Sequence, residues 1–370
     1  MNITLNRALL LQSLQSISKV IPARTTLPII QCALFEGREN VLSIRGTDLE
    51  IEIESFLKTD SDIENLCFAI PVFKIIEILQ SLKEDKVLFT INENERIDIT
   101  TQTGKFSIMG QNKEEFPPSP KIEDINSITI ENRNFKEIIN STLYAASKDD
   151  MKPALQGVLI KVENNTITSV ATDGHRLSKT VSEKNKNQTY RGSFVLPGKF
   201  LDIIKTQTNE KENIAISINE NHVSIESKNK IFKSRIIKEK FPEYERVIPK
   251  ESKIAVTLNK TEFIDSLKRV NIFSNKTTKQ IVLGFDQNKT TIETEDPDST
   301  AKGREEMRCD FSGEKTLIGF NGQYLLEMLK HVDEENFDIN FESSLSAVMV
   351  KTEKKEGWKK TNILMPIRIS

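Results

Sequence analysis

The sequence predicts an α+β protein made of three similar domains, each with two helices and a largely antiparallel sheet. Three observations carry this reading. A self-similarity recurs with a period of about 125 residues, long enough for whole domains rather than solenoid units. Helical apolar stripes return at matching offsets in each copy. The length of 370 residues exceeds what one ordinary core takes up.

Each copy opens with Asn followed by a basic residue: Asn6-Arg7, Asn132-Arg133 and Asn259-Lys260. Asn is a good N-cap because its side chain accepts from orphan helix N–H groups, and Asn259 with Glu262 has capping-box spacing. An apolar stripe follows: Leu10, Leu14, Ile17 and Ile21, then Phe135, Ile138, Ile139, Leu143 and Ala146, then Phe263, Leu267 and Val270. A strand pair comes next and ends in Thr plus an acid, at Thr47-Asp48, Thr172-Asp173 and Thr294-Glu295. A second helix is expected over Pro71 to Leu82, Pro197 to Lys205 and Asn321 to His331. Alternating strands such as Ile214 to Ile218 close each copy, before an apolar-Pro pair at Phe116-Pro117, Phe241-Pro242 and Met365-Pro366. Linkers are expected in the stretch from Phe116 to Asp124 and near Pro249 to Lys253, since Pro cannot continue a ladder. The expected domains are therefore 1–124, 125–252 and 253–370.

Hydrophobic residues at 37% and charged residues at 29% are a soluble globular balance. No apolar run approaches the roughly 20 residues that span a bilayer. The stretch from Met1 to Val20 breaks its apolar residues with polar ones, unlike a signal peptide, so a cytoplasmic protein with no membrane contact is expected. Cys32, Cys67 and Cys309 are widely spaced and odd in number; they read as small buried thiols rather than a disulfide framework or zinc set. With 52 basic and 54 acidic residues, the net charge of −2 excludes a uniformly basic nucleic-acid binder. It leaves open charges segregated onto different faces.

Catalytic constellations are sparse. Neither common phosphate-cradling Gly-rich spacing occurs, and His175, His222 and His331 sit in separate segments. Asp173-Gly174-His175 reads first as a tight turn, with Gly174 supplying the unusual backbone angles and Asp173 bonding its own backbone. As an acid–base pair in a hydrolase it lacks an evident nucleophile or metal. The adjacent acids Glu305-Glu306 read as a solvated charge run. A monomeric DNA-binding module would need a basic domain or a groove-reading helix.

The stretch Ala171-Thr172-Asp173-Gly174-His175-Arg176-Leu177 resembles a signature of the bacterial DNA polymerase III beta subunit family, the sliding clamps. Arg24-Thr25-Thr26-Leu27-Pro28-Ile29, Phe241-Pro242-Glu243-Tyr244-Glu245-Arg246-Val247 and Met365-Pro366-Ile367-Arg368-Ile369 resemble further family segments in the same order. The resemblance covers the whole chain. It implies the DNA clamp fold, in which two three-domain chains close head to tail into a ring. Such a heterologous contact closes when its rotation divides the circle, and sheets joined across domain boundaries lose exposed edges. The implied role is non-catalytic: a processivity factor that encircles duplex DNA without sequence preference and needs no cofactor or metal. Implied partners are the catalytic subunit of DNA polymerase III, other replication and repair proteins that bring short peptide motifs, and the clamp loader.

The hole of such a ring carries positive charge, and the stretch from Met1 to Arg24 contains Arg7, Lys19 and Arg24 with no acid. The resemblance places DNA contacts at Arg24, Lys152 and Lys199. Pro153-Ala154 and Phe73 stand where some members carry a Tyr pair and a basic residue, and Asp149 beside Lys152 opposes phosphate. It places the peptide cleft at Leu155, Thr172, Gly174, His175, Arg176, Leu177, Pro242, Arg246 and Val247. From the third domain come Asn321, Tyr324, Leu345, Met365, Pro366, Ile367 and Arg368. Chemically this is an apolar groove with a cationic rim, suited to Leu/Phe anchors beside an acid or Gln. Thr278 replaces an aromatic at one edge, and Ser370 extends the usual tail. At the dimer contact, Ile272 and Phe273 face a pocket of Ile78, Leu82, Phe106 and Ile108, while Lys74, Arg96 and Lys105 face Asp298, Glu305 and Glu306. Lys302 and Arg304 interrupt that acidic run.

Overall fold

A computed structural model describes residues 1–60, 62–122, 127–183, 190–354 and 357–369. The boundary expected at 124/125 and Ser370 lie outside the described residues. Six helices occur among them: α1 (Arg7–Ile17), α2 (Val72–Ser81), α3 (Asn132–Thr142), α4 (Gly198–Gln207), α5 (Lys260–Asn271) and α6 (Gly322–Leu329). The chain divides into two compact units, residues 1–134 with 199–236, and residues 135–198 with 237–370.

Local chemistry sets three of the six helix starts. Asn6 accepts from Leu9 N at 3.0 Å and Asn259 from Glu262 N at 3.0 Å, contacts worth about 1 kcal/mol each. Asn321 caps α6 in the same way, accepting from the N–H groups of Gln323 and Tyr324. Asn132 is not a cap. Its backbone N–H donates to Glu212 O at the end of a strand pairing, and its fully buried amide donates to Asn209 O at 2.7 Å. Arg7 N and Lys260 N make the equivalent backbone bonds, to Asp85 O and Glu335 O, so Asn132 holds the first helical position and Glu131 the cap position, one residue off the expected match.

The apolar stripes of α1 and α5 are buried as their spacing demands. In α3 the phase breaks. Ser141 and Thr142 hydroxyls donate back to the carbonyls of Glu137 and Ile138, a competing bond that favours helix ends. A 3₁₀ turn over Leu143–Ala145 then buries Ala145 fully and leaves Ala146 half-buried. Arg7 departs from a phosphate-facing role: its guanidinium donates to Leu79 O and Glu84 O, at and beyond the C-terminal end of α2. Unsatisfied carbonyls there attract a cation. Cys32 and Cys309 are buried, whereas Cys67 is only half-buried. Burial pushes the Cys32 thiol up to about 12.

Sheets run through the copy boundaries. In the first unit, Ile51–Lys58 pairs antiparallel with Lys230–Arg235, from Ile51↔Ser234 to Ser55↔Lys230, inside an eight-stranded sheet. In the second, Arg176–Ser182 pairs with Trp358–Leu364, from Arg176↔Leu364 to Ser182↔Trp358, inside a nine-stranded sheet. Two four-stranded sheets complete the set; Lys105–Met109 lies on the edge of one and Ala301–Arg308 on the edge of the other. In the third copy the strand Lys289–Asp296 continues through Thr294-Glu295 instead of ending there. Thr294 Oγ1 donates sideways to Gln280 O, while Thr47 and Thr172 donate within their own turns, to Ile51 O and Arg176 O.

Both joints hold a lysine at the same register. Lys230 lies opposite Ser55 and Lys360 opposite Thr180, each eight residues past the Thr of its Thr-Asp pair. Lys360 is 5% exposed and donates to Glu137 at 2.8 Å and Asp333 at 2.9 Å. Lys230 donates to Gln207 at 3.2 Å; burial holds its ammonium below the usual lysine range, and Glu212 opposes that shift. Around the first joint Arg45 binds Glu52 at 3.2 Å and donates to Pro117 O at 3.0 Å, lying over the Phe116 ring. Ser119 and Lys233 also bind Glu52. These contacts pin the expected first linker from Phe116 to Ser119.

Candidate functional site

The most elaborated surface lies in the second unit, around the turn from Thr172 to Arg176. Thr172 Oγ1 accepts from Gly174 N at 3.1 Å. Asp173 Oδ1 accepts from the N–H groups of His175 at 2.8 Å and Arg176 at 3.0 Å. Gly174 has φ +91, and no atom lies within 4 Å of an added Cβ there. Backbone angle, not space, asks for glycine. The turn reading of Asp173-Gly174-His175 therefore holds, with the carboxylate spent on backbone and on Arg176.

Arg176 is buried and does not belong to a cationic rim. Asp173 Oδ2 takes its Nε at 3.1 Å and Glu327 Oε2 takes Nη1 at 2.5 Å. Its guanidinium carbon lies 4.3 Å from the Tyr324 ring centroid and 5.5 Å from that of Tyr144. Two acids and two aromatic faces offset the cost of burying this cation. Burial alone would raise the Glu327 carboxyl, yet hydrogen bonds from Gln323 and Arg176 hold it below the usual carboxylate range. Burial pushes the Tyr144 and Tyr324 hydroxyls up. Tyr144 and Glu327 escape a motif reading. Glu327 carries one signal, being the sole acid on α6.

The C-terminal segment closes over this pillar. Met365 N donates to His175 O at 2.8 Å and Ile367 N to Gly319 O at 2.8 Å. The His175 ring stacks on Tyr324 at 6.2 Å. Leu177 follows Arg176 on its strand and so faces the other side of the sheet, where it is buried with Val170, Val195, Phe241, Met349 and Ile363. Apolar groups left in the open are Val247, Met365 and Leu345, the last 73% exposed. Exposed Arg246 is paired with Glu243 at 2.5 Å, and Arg368 is also exposed. Leu155 ends a 3₁₀ turn, half-buried; Asn321 is the α6 cap, Pro242 is exposed and Pro366 half-buried. Leu345 shares no hydrogen bond with the other named residues among the described ones, its N–H turning to Ser343.

The cations expected on DNA differ in their freedom. Arg24 is exposed. Lys152 Nζ lies 4.0 Å from Asp149. Lys199 Nζ is bound to Asp48 Oδ2 at 2.5 Å.

At the expected seam, Ile272 is 77% and Phe273 43% exposed. Phe106 and Met109 are exposed on their edge strand, Ile108 is buried, and Ile78 and Leu82 are half-buried. The charges are already engaged within the chain. Arg96 binds Asp98 at 3.1 Å, Lys105 binds Asp98 at 3.7 Å and Lys74 binds Glu77 at 3.4 Å. The Ser107 hydroxyl and Arg96 hold the Asp98 carboxyl down to about 2. Glu305 takes Arg269 through two contacts of 2.6 Å, and Glu306 takes Lys289 and Arg304. Asp298 accepts from Asn275 at 2.9 Å. Glu305-Glu306 are thus paired rather than simply solvated, because α5 and the neighbouring strand bring cations to them.

Among the described residues, no three His, Cys, Asp or Glu side chains gather as a metal site, and no helix is long and apolar enough to cross a membrane.

Family models for the DNA polymerase III beta subunit match in order along the chain: the N-terminal domain over residues 1–120, the central domain over 129–243 and the C-terminal domain over 245–368. The beta sliding clamp of Haemophilus influenzae is 26% identical over 371 residues, covering 100% of both chains. That of Chlamydia muridarum is 24% identical over 356 residues, covering 96% of each. The crystal structure of the DNA polymerase III subunit beta from Pseudomonas aeruginosa superposes with a TM-score of 0.94 at 25% identity, and the sliding clamp from Bacillus subtilis with 0.93 at 25%, each covering 100% of both chains.

Proposed function

The chain belongs to the DNA polymerase III beta subunit family, and from that premise we propose that it acts as a sliding clamp in the bacterial cytoplasm. Two copies close head to tail around duplex DNA and tether the replicative polymerase, without catalysing a reaction. Its domains are 1–124, 125–252 and 253–370.

One observation carries the ring. Each internal joint pairs a strand following the Thr-acid turn of one copy with the last strand of the next: Ile51–Lys58 with Lys230–Arg235, and Arg176–Ser182 with Trp358–Leu364. The strands of these two kinds left over are Ala301–Arg308 in the third copy and Lys105–Met109 in the first. A second copy supplies each leftover strand with its complement and removes both open edges. Ile272 and Phe273 then enter the partner's pocket of Ile78, Leu82, Phe106 and Ile108. Lys74, Arg96 and Lys105 oppose Asp298, Glu305 and Glu306, at reduced strength because internal pairs already engage these charges.

Arg24, Lys152 and Lys199 contact phosphates. The cleft over the Arg176 pillar, open at Val247, Met365 and Leu345, receives short motifs from the polymerase catalytic subunit, repair proteins and the clamp loader. A P. aeruginosa sliding clamp similar to this chain, with a TM-score of 0.93 and 25% identity, was crystallised bound to griselimycin, which supplies a probe.

Topology separates a ring from a charge-bound protein. Phosphate contacts weaken as salt rises, whereas encirclement is not screened. Once loaded on circular duplex by a clamp loader, the protein should survive a salt wash and leave when the circle is cut once. Blocking both ends should restore retention. Equal loss from circular and linear DNA under the same wash would remove the clamp reading.

A further inference from the structure

We infer that Asp48 is a built-in competitor for DNA phosphate, holding Lys199 back and so setting how tightly the chain grips duplex. The inference rests on the reading of Lys199 as a DNA contact.

The acid after the repeat's Thr recurs in each copy, and each one holds a cation. Asp173 binds Arg176 at 3.1 Å and Glu295 binds Lys302 at 2.8 Å, both partners lying within the same copy. Asp48 instead reaches a lysine 151 residues away, at the start of α4 in the next copy. Its two oxygens divide the work as those of Asp173 do. Oδ1 accepts from Glu50 N at 3.0 Å and Ile51 N at 2.7 Å, fixing the turn. Oδ2 is thereby aimed outward and takes Lys199 Nζ at 2.5 Å. The carboxylate is 15% exposed and the lysine 58% exposed.

That asymmetry makes the pair a competitor rather than a surface accident. A fixed carboxylate pays little entropy to hold a cation, while a mobile exposed lysine bears most of the ordering cost. A phosphate approaching Lys199 must displace an anion that cannot swing away, and it meets that anion's repulsion. One of the three proposed cations is in this way partly neutralised before DNA arrives. Weak, replaceable contacts suit a protein that must slide.

The test uses the full-length chain and a short fluorescent duplex, with affinity measured across a salt series. Asp48→Asn keeps an oxygen for the two backbone N–H groups and removes the charge. We expect duplex affinity to rise up to about fivefold, and the slope of log affinity against log salt to steepen by a fraction of the roughly 0.9 that one full phosphate contact gives. Lys199→Met should weaken binding, and adding Asp48→Asn to it should change nothing. An equal gain in both backgrounds would mean a general loss of negative charge and would overturn the inference. Binding that falls with Lys199→Met yet ignores Asp48→Asn would overturn the competitor alone and leave Lys199 on the DNA surface. Binding indifferent to Lys199→Met would overturn both.

Discussion

The Arg176 guanidinium lies 4.3 Å from the centre of the Tyr324 ring, held there by Asp173 and Glu327. Beside the proposed cleft there is thus a buried cation whose position depends on two copies of the repeat. Removing Glu327 leaves that cation short of one acid, and at a part-exposed carboxylate such a loss costs about 1 kcal/mol. Tyr324→Ala removes its aromatic cover and the stacking face of His175. We expect it to weaken griselimycin binding at least tenfold, read by calorimetry, with the chain still folded. Unchanged affinity would place the ligand elsewhere.

The pH dependence of the same pair has a definite sign. The Glu327 carboxyl is depressed in the folded chain, so its stabilisation is complete above the ordinary carboxylate range and disappears as pH falls through the folded value. The group is half-exposed, so solvent screening limits the effect to about 1 kcal/mol. Native protein should melt above Glu327→Gln at pH 7, and the two melting curves should converge toward pH 3. A gap that widens on acidification would contradict this linkage.

Deleting residues 365–370 removes the Met365 N–H bond to His175 O and the Ile367 bond to Gly319 O. A peptide with Gln, Leu and Leu-Phe anchors, expected to bind at about micromolar strength or roughly −8 kcal/mol, should then lose its site. The dimer should persist, since none of the residues proposed for the seam lies in the deleted segment. Peptide affinity that survives the truncation rejects the cleft assignment.

Ile272 and Phe273 are adjacent exposed apolar residues on the third copy. Replacing both by Ala removes two anchors worth about 2–4 kcal/mol each if an interface buries them. Sedimentation at micromolar concentration should show monomers with unchanged circular dichroism. A variant that stays dimeric moves the interface.

Lys360 joins Glu137 on α3 to Asp333 beyond α6 across the second joint. Lys360→Met leaves two part-exposed carboxylates facing each other without their cation. We expect a loss of about 2 kcal/mol by urea denaturation, with Lys360→Arg recovering part of it. A neutral Lys360→Met would show that the joint is held by its strand pairing alone.

What the sequence by itself determined is whatever short-range chemistry decides. The Asn6 and Asn259 caps are bonds spanning three residues, the α1 and α5 stripes follow the 3.6-residue turn, and the Thr172–Arg176 turn closes on its own Asp173. The order of family motifs also lay open, because it is a property of the string. Tertiary structure decided the rest. Asn132 looked like the counterpart of Asn6 and Asn259, but the strand register gives it the place of Arg7 and Lys260, one residue past the cap. Arg7 looked free for phosphate until the carbonyls of Leu79 and Glu84 took it. Arg176 looked like a rim cation and is buried, because Glu327 meets it from 151 residues away. Asp48 finds Lys199 at the same separation. Charge and burial act through space, and at such distances the chain's order does not say which groups the folded sheets bring within reach.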